Sequence, residues 1–201
     1  MKTSLRYLGL FLLGVPAGIL LTGHDNLPVS GAATVALYLL LLTVGFSLGA
    51  DPRLPEILRS LRLRILFVPL STIAGTFLGV SLYNLLFSDL TAGEAMAAGL
   101  GMGYYSLSSI ILTDLSGEEL GVIALLANIA RETLTLLLAP FLPAWLGALA
   151  PISSGGATSM DTTLPVILQT SGKQYVLHAM VHGVILTILV PFLVSATYRL
   201  F

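Results

Sequence analysis

The stretch Glu119 to Gly147, ELGVIALLANIARETLTLLLAPFLPAWLG, decides the fold class of this chain. It is apolar over a length that exceeds the roughly 18–20 residues needed to cross a hydrocarbon core of about 30 Å. Yet Asn128, Arg131 and Glu132 interrupt it. In a water-soluble helix such an Arg-Glu pair would be ordinary. At the centre of a bilayer each charge costs roughly 2.5–3.5 kcal/mol on insertion scales, so these side chains need protein or a wet cavity around them.

Working outward, the rest of the chain has the same character. Of 201 residues 56% are hydrophobic and only 9% charged, with net charge −1 and mean hydropathy +0.95. Candidate spans cover residues 5–22, 31–50, 63–88, 95–112, 119–147, 157–171 and 174–199. The pattern predicts an all-α polytopic membrane protein with five to seven membrane segments, two of them broken or re-entrant, in a single domain over residues 1–201. A β-barrel would alternate over segments of about 10 residues, and such alternation is absent. With no Cys, disulfides, thiolate metal sites and a Cys nucleophile are excluded. No basic tail, aromatic-basic interleaving or P-loop points to nucleic acid or nucleotide.

Lys2 and Arg6 before the apolar run Tyr7–Leu21 resemble a signal peptide, but no small-x-small site closes the run, so a retained first span is expected. With the N-terminus in the cytoplasm, the loop at about 51–62 and Lys173 also face inward. Seven of the nine basic residues (Lys2, Arg6, Arg53, Arg59, Arg62, Arg64, Lys173) are then inside, as the positive-inside tendency asks. Lipid headgroups are the natural partners of the arginine loop. The C-terminus is external whether residues 95–112 and 157–171 cross or re-enter.

Two segments make poor simple spans. Residues Gly99 to Ser109 combine three glycines with three serines, and Ser153 to Asp161 open a short helix that meets Pro165 four residues after the acid. Proline at that spacing removes a hydrogen bond to the Asp161 carbonyl. Broken backbone at membrane depth survives only inside protein or beside water. A pair of such interrupted segments, here about 95–112 and 153–171, points to the binding site of a transporter.

Asn128, Arg131, Glu132 and Thr135 fall at i, i+3, i+4 and i+7, one polar stripe on a helix. Arg131 keeps its charge and is therefore expected to be paired, a static interhelical bridge to an acid being the bland alternative to a substrate carboxylate. Glu132 and Asp161 can lower their burial cost by taking up a proton, which suits exchange of a proton for a cationic substrate. The backbone N–H groups of a helix start near Ser154 to Thr158, including Thr158 and Ser159, are expected to face a substrate carboxylate together with Arg131. Tyr104, Tyr105, Ser106, Ser108 and Ser109 would line the remaining pocket. His182 is a candidate proton relay or structural residue and His178 a packing residue. Their i, i+4 spacing fits a metal pair, but no third ligand can be named. Intramembrane proteolysis is disfavoured, since neither Gly-x-Gly-Asp nor Gly-x-Ser-Gly occurs.

Four blocks, taken together, resemble the lysine exporter family (LysO type). They are Gly101-Met102-Gly103-Tyr104-Tyr105-Ser106-Leu107-Ser108, Asn128-Ile129-Ala130-Arg131-Glu132, Gly156-Ala157-Thr158-Ser159-Met160-Asp161-Thr162-Thr163-Leu164-Pro165 and Val181-His182-Gly183. The resemblance covers essentially the whole chain and corresponds to the C-terminal two-thirds of full-length members. Ile129 stands where the family often has Asp. The resemblance implies export of L-lysine and analogues across the inner membrane in exchange for protons, with Na⁺ as an alternative coupling ion and no cofactor. It also implies a small membrane partner of about three spans, or a homodimer. A distant likeness to crossed-helix cation/proton antiporters follows by analogy of fold. The competing readings are a non-transporting membrane subunit, and a transporter of another small cation or amino acid.

Overall fold

The computed structural model describes residues 63–87 and 90–201, with isolated positions between 35 and 55. The chain divides into two units, 1–36 and 37–201, and the architecture below belongs to the second. The expected span 5–22, nearly all of 31–50, the arginine loop and His24 lie outside the described residues.

Eight α-helices are delimited among the described residues, in order: α1 Leu63–Phe87, α2 Ala92–Gly99, α3 Tyr105–Ser116, α4 Glu118–Leu138, α5 Leu142–Leu146, α6 Ala150–Gly155, α7 Leu164–Ser171 and α8 Val176–Leu200. A 3₁₀ turn, Gly156–Met160, joins α6 to the loop before α7, and a second, Lys173–Tyr175, precedes α8. Among the described residues there is no strand. Three stretches among the described residues, Ile65–Phe87, Glu118–Leu138 and Lys173–Leu200, are long and apolar enough to cross a membrane. This is an all-α polytopic membrane protein.

Local chemistry accounts for the helix ends. Thr91 and Glu94 form a capping box at the start of α2: Glu94 N–H donates to Thr91 Oγ1 at 3.3 Å and Thr91 N–H to Glu94 Oε2 at 2.9 Å. Gly117, at φ +101°, makes the tight joint between α3 and α4. The expected span 119–147 is shorter than its apolar run. α4 stops at Leu138 because Pro140 and Pro143 cannot donate to the preceding turn, and Pro143 instead sits in the first turn of the short α5. Pro165 behaves the same way. It lies in the first turn of α7, where a missing N–H costs nothing, so it starts a helix rather than kinking one through Asp161.

α8 is the central element. Of its apolar window 56% is buried, against 22% for α1 and 28% for α4, so the last two present most of their length outward. Phe67, Leu70, Leu78, Leu82 and Leu85 of α1 and Leu126, Leu134 and Leu137 of α4 are exposed, as lipid-facing side chains are. The two broken segments divide α8 between them. Leu186, Val190 and Val194, from its middle onward, share a core with α2, α3 and the start of α4, through Ala97, Leu107, Ile111, Leu112, Leu120 and Ala124. Ala179, near its start, packs with Val68 of α1, Ile152 of α6 and Ile167 of α7. The segments therefore lie toward opposite ends of α8 and meet at its middle.

Candidate functional site

The breaks fall where the glycines and serines predict them, at residues 100–104 between α2 and α3 and at 156–163 between α6 and α7. They touch each other through backbone. Ala157 N–H donates to the Met102 carbonyl at 2.9 Å. Gly156 adopts φ +64° and Gly103 φ +89°, and a β-carbon at Gly156 would run into that same Met102 carbonyl. Only glycine fits such an approach in the left-handed region.

An interrupted helix leaves backbone donors and acceptors without helical partners, and in a membrane water cannot replace them. One helix supplies the replacements. Asn128 of α4, 2% exposed, accepts from Gly103 N–H at 2.8 Å through Oδ1. Its Nδ2 donates to the Ala98 carbonyl at 2.9 Å and the Ala124 carbonyl at 2.8 Å. One turn on, Arg131 serves the second break. Nε donates to the Ser154 carbonyl at 3.0 Å, Nη2 to the Ser153 carbonyl at 3.0 Å and Nη1 to Thr76 Oγ1 of α1 at 3.1 Å. Thr135 Oγ1 and Ser154 Oγ, 2.7 Å apart, extend the same seam.

Two expectations change here. The backbone facing Arg131 is the carboxyl end of α6, which finishes at Gly155, not a helix start near Ser154 to Thr158. A cation is favourable there because the last carbonyls carry the negative end of the helix dipole. And the partners of Arg131 are carbonyls and a hydroxyl rather than an acid. Residues 128, 131, 132 and 135 share α4, and, Glu132 apart, their polar atoms meet backbone and the hydroxyls of Thr76, Ser108 and Ser154.

The hydroxyls of Thr158 and Ser159 are also committed. Both residues are buried. Thr158 Oγ1 donates to the Gly155 carbonyl at 2.8 Å and lies 3.2 Å from Thr163 Oγ1. Ser159 Oγ donates to the Ala179 carbonyl at 3.0 Å and meets His182 Nδ1 at 3.0 Å. His182, fully buried, reaches Thr72 Oγ1 of α1 with Nε2 at 2.9 Å, and Thr72 Oγ1 in turn donates to the Val68 carbonyl at 3.0 Å. His182 thus ties α8 to α1 and to the 3₁₀ turn. His178 stacks obliquely on Tyr175, with ring centroids 5.6 Å apart. Ser108, fully buried, donates to the Tyr104 carbonyl at 2.9 Å and lies 3.5 Å from Asn128 Nδ2.

What remains after this accounting is a smaller group. Glu132 is half-buried and makes no hydrogen bond or ion pair with any described residue. Asp161 is exposed rather than buried, its carboxylate accepting only from Thr162, through the backbone N–H and, at 3.3 Å, the hydroxyl. Tyr105 lies within electrostatic reach of both acids, and Tyr104 within reach of Asp161. Ser106 and Ser109 are half-exposed on α3 beside them in sequence. The structure thus puts two carboxylates without a cation among the described residues within electrostatic reach of Tyr105, and commits polar atoms of Asn128, Arg131, Thr158, Ser159, Ser108 and His182 to hydrogen bonds within the protein. Thr72 and Thr76 were overlooked in the sequence. Their i, i+4 spacing on an otherwise apolar span was the available signal.

The profile of the family described as "Lysine exporter LysO" matches residues 8–198. The chain is similar to the lysine exporter LysO of Escherichia coli (strain K12), at 36% identity over 194 residues, which is 96% of this chain and 63% of that protein. It is also similar to a provisionally named lysine exporter of Haemophilus influenzae, at 30% identity over 186 residues, covering 90% of this chain and 91% of the other. The chain therefore spans a little under two-thirds of its Escherichia coli relative. No solved structure matches it.

Proposed function

The chain belongs to the LysO lysine exporter family, and from that premise we propose that it exports L-lysine and close analogues across the cytoplasmic membrane in exchange for protons. The single observation that carries the site assignment is the accounting at the two breaks. Of the polar side chains gathered there, Glu132 and Asp161 are the acids left without a cation among the described residues. The alternation of long helix, broken pair, long helix, broken pair, long helix supports the transporter reading, since paired discontinuous segments in corresponding positions mark transporter binding sites.

In the proposed cycle a protonated carboxyl group gives its proton to the cytoplasm as a substrate ammonium group arrives. Outside, the ammonium leaves and a proton returns. An Asp or Glu carboxylate accepts hydrogen bonds when ionised and donates one when protonated, so it can hold either cargo. Tyr104 and Tyr105 offer hydroxyls to the same groups. The N-terminus is assigned to the cytoplasm and the C-terminus to the outside. A small membrane subunit of about three spans is the proposed partner, with a homodimer as the competing assembly.

The test is proton-coupled lysine counterflow in proteoliposomes with Glu132→Gln and Asp161→Asn. Each variant is expected to lower the maximal rate by about tenfold or more, Asp161→Asn also uncoupling lysine from protons. Unchanged rate and coupling in both variants would sink the mechanism.

A further inference from the structure

Asn128 and Arg131 are natural candidates for substrate ligands by composition, but the Asn128 amide and three of the five N–H donors of Arg131 are already directed at backbone, Ser108 and Thr76. Asn128 satisfies one acceptor and one donor of the first break, Ala98 O and Gly103 N–H. Arg131 satisfies two acceptors at the second, Ser153 O and Ser154 O. The bond from Ala157 N–H to Met102 O then joins the two breaks directly. Asp161 hangs from the second break, three residues beyond Thr158, whose carbonyl its N–H contacts at 3.1 Å. Tyr105 opens α3 at the end of the first break, and Glu132 sits on α4 itself. Each of the three groups is thus connected to α4, either directly or through one of these two side chains.

We infer that Asn128 and Arg131 are positioning residues: they lock the two breaks to α4 and so fix the distance between Glu132 and Asp161, rather than binding the cargo. A substrate carboxylate that displaced Ser153 and Ser154 from Arg131 would take from their carbonyls the donors that Arg131 gives them at membrane depth. The transport part of the test rests on the acid-pair reading above. The exchange part stands without it.

The full chain, reconstituted in nanodiscs and in proteoliposomes, is compared with Asn128→Ala, Asn128→Asp, Arg131→Ala and Arg131→Lys. Amide hydrogen exchange is followed over residues 98–104 and 153–161. Uptake kinetics are measured for L-lysine and for 1,5-diaminopentane, which is lysine without its carboxylate. Either alanine variant is expected to speed exchange by about tenfold in both segments, because the Met102–Ala157 bond passes the loss from one break to the other. KM should rise by about tenfold for both compounds, their ratio staying within about twofold, with Arg131→Lys recovering part of the loss. If the alanine variants do not fold, the Asp and Lys variants carry both readouts. A loss in the Arg131 variants confined to lysine, sparing the diamine, would make Arg131 a carboxylate ligand and overturn the inference. Unchanged exchange in both segments would overturn it equally. If the parent protein moves neither compound, the transport reading fails, and exchange still decides the bracket.

Discussion

The two breaks are built alike and finished differently. The first, between α2 and α3, is closed: Leu100 and Met102 are buried, and a neutral amide on α4 clamps its backbone. The second, between α6 and α7, is clamped by a cation and then opens, with Asp161 and Thr162 exposed immediately after the buried Thr158 and Ser159. The difference teaches which break is scaffold and which is working surface. A neutral clamp suits a junction that must satisfy a donor and an acceptor together. A guanidinium suits one that presents only carbonyls.

The largest effect separating the two is expected at their glycines. Gly156→Val should leave almost no monodisperse protein in detergent size-exclusion, because a left-handed φ costs a non-glycine residue roughly 1–2 kcal/mol and the side chain also displaces the Met102 carbonyl. Gly103→Ala carries a similar backbone cost, but its β-carbon comes no nearer than 3.1 Å to the Gly155 carbonyl, so folded protein with a lowered Tm is expected. Equal yields of the two variants would erase the asymmetry.

A middle-sized effect is expected at His182. Removing its ring leaves Thr72 and Ser159 their own backbone acceptors, Val68 O and Ala179 O, so neither hydroxyl is orphaned. His182→Leu should cost about 0.5–1.5 kcal/mol for each hydrogen bond lost, read as a lowered Tm, with proton coupling of transport retained. Lost coupling in a variant that is still folded would move His182 from framework to proton carrier.

The smallest effect is expected at Thr162, whose hydroxyl reaches Asp161 only at 3.3 Å. Thr162→Val should change lysine transport by less than about twofold, since hydrogen bonds weaken steeply as they lengthen. A larger loss would show that the open end of the second break depends on this side chain.

Much of this arrangement was legible before the structure. The spans expected at 63–88 and 174–199 match α1 and α8 within about two residues, because long apolar runs bounded by charge leave little choice. The breaks were legible too, because glycine and serine clusters cannot sustain a membrane helix. Direction and partnership were not. Whether Pro165 ends or starts a helix depends on where the preceding turn stops, which Gly155 and Gly156 decide through tertiary contact with Met102. Likewise the spacing of Asn128, Arg131 and Glu132 fixes a shared face. Only packing decides that the first two meet backbone while the acid stays unpaired.

The placement of both clamps on one helix has a geometric consequence. Asn128 and Arg131 are three residues apart, about 4.5 Å along the axis of α4. The two breaks are therefore held by neighbouring turns of one helix. The glycines, the asparagine and the arginine together tie both breaks to a single helix, with one acid on that helix and another on the loop beyond the second break, so a movement of α4 carries both breaks with it.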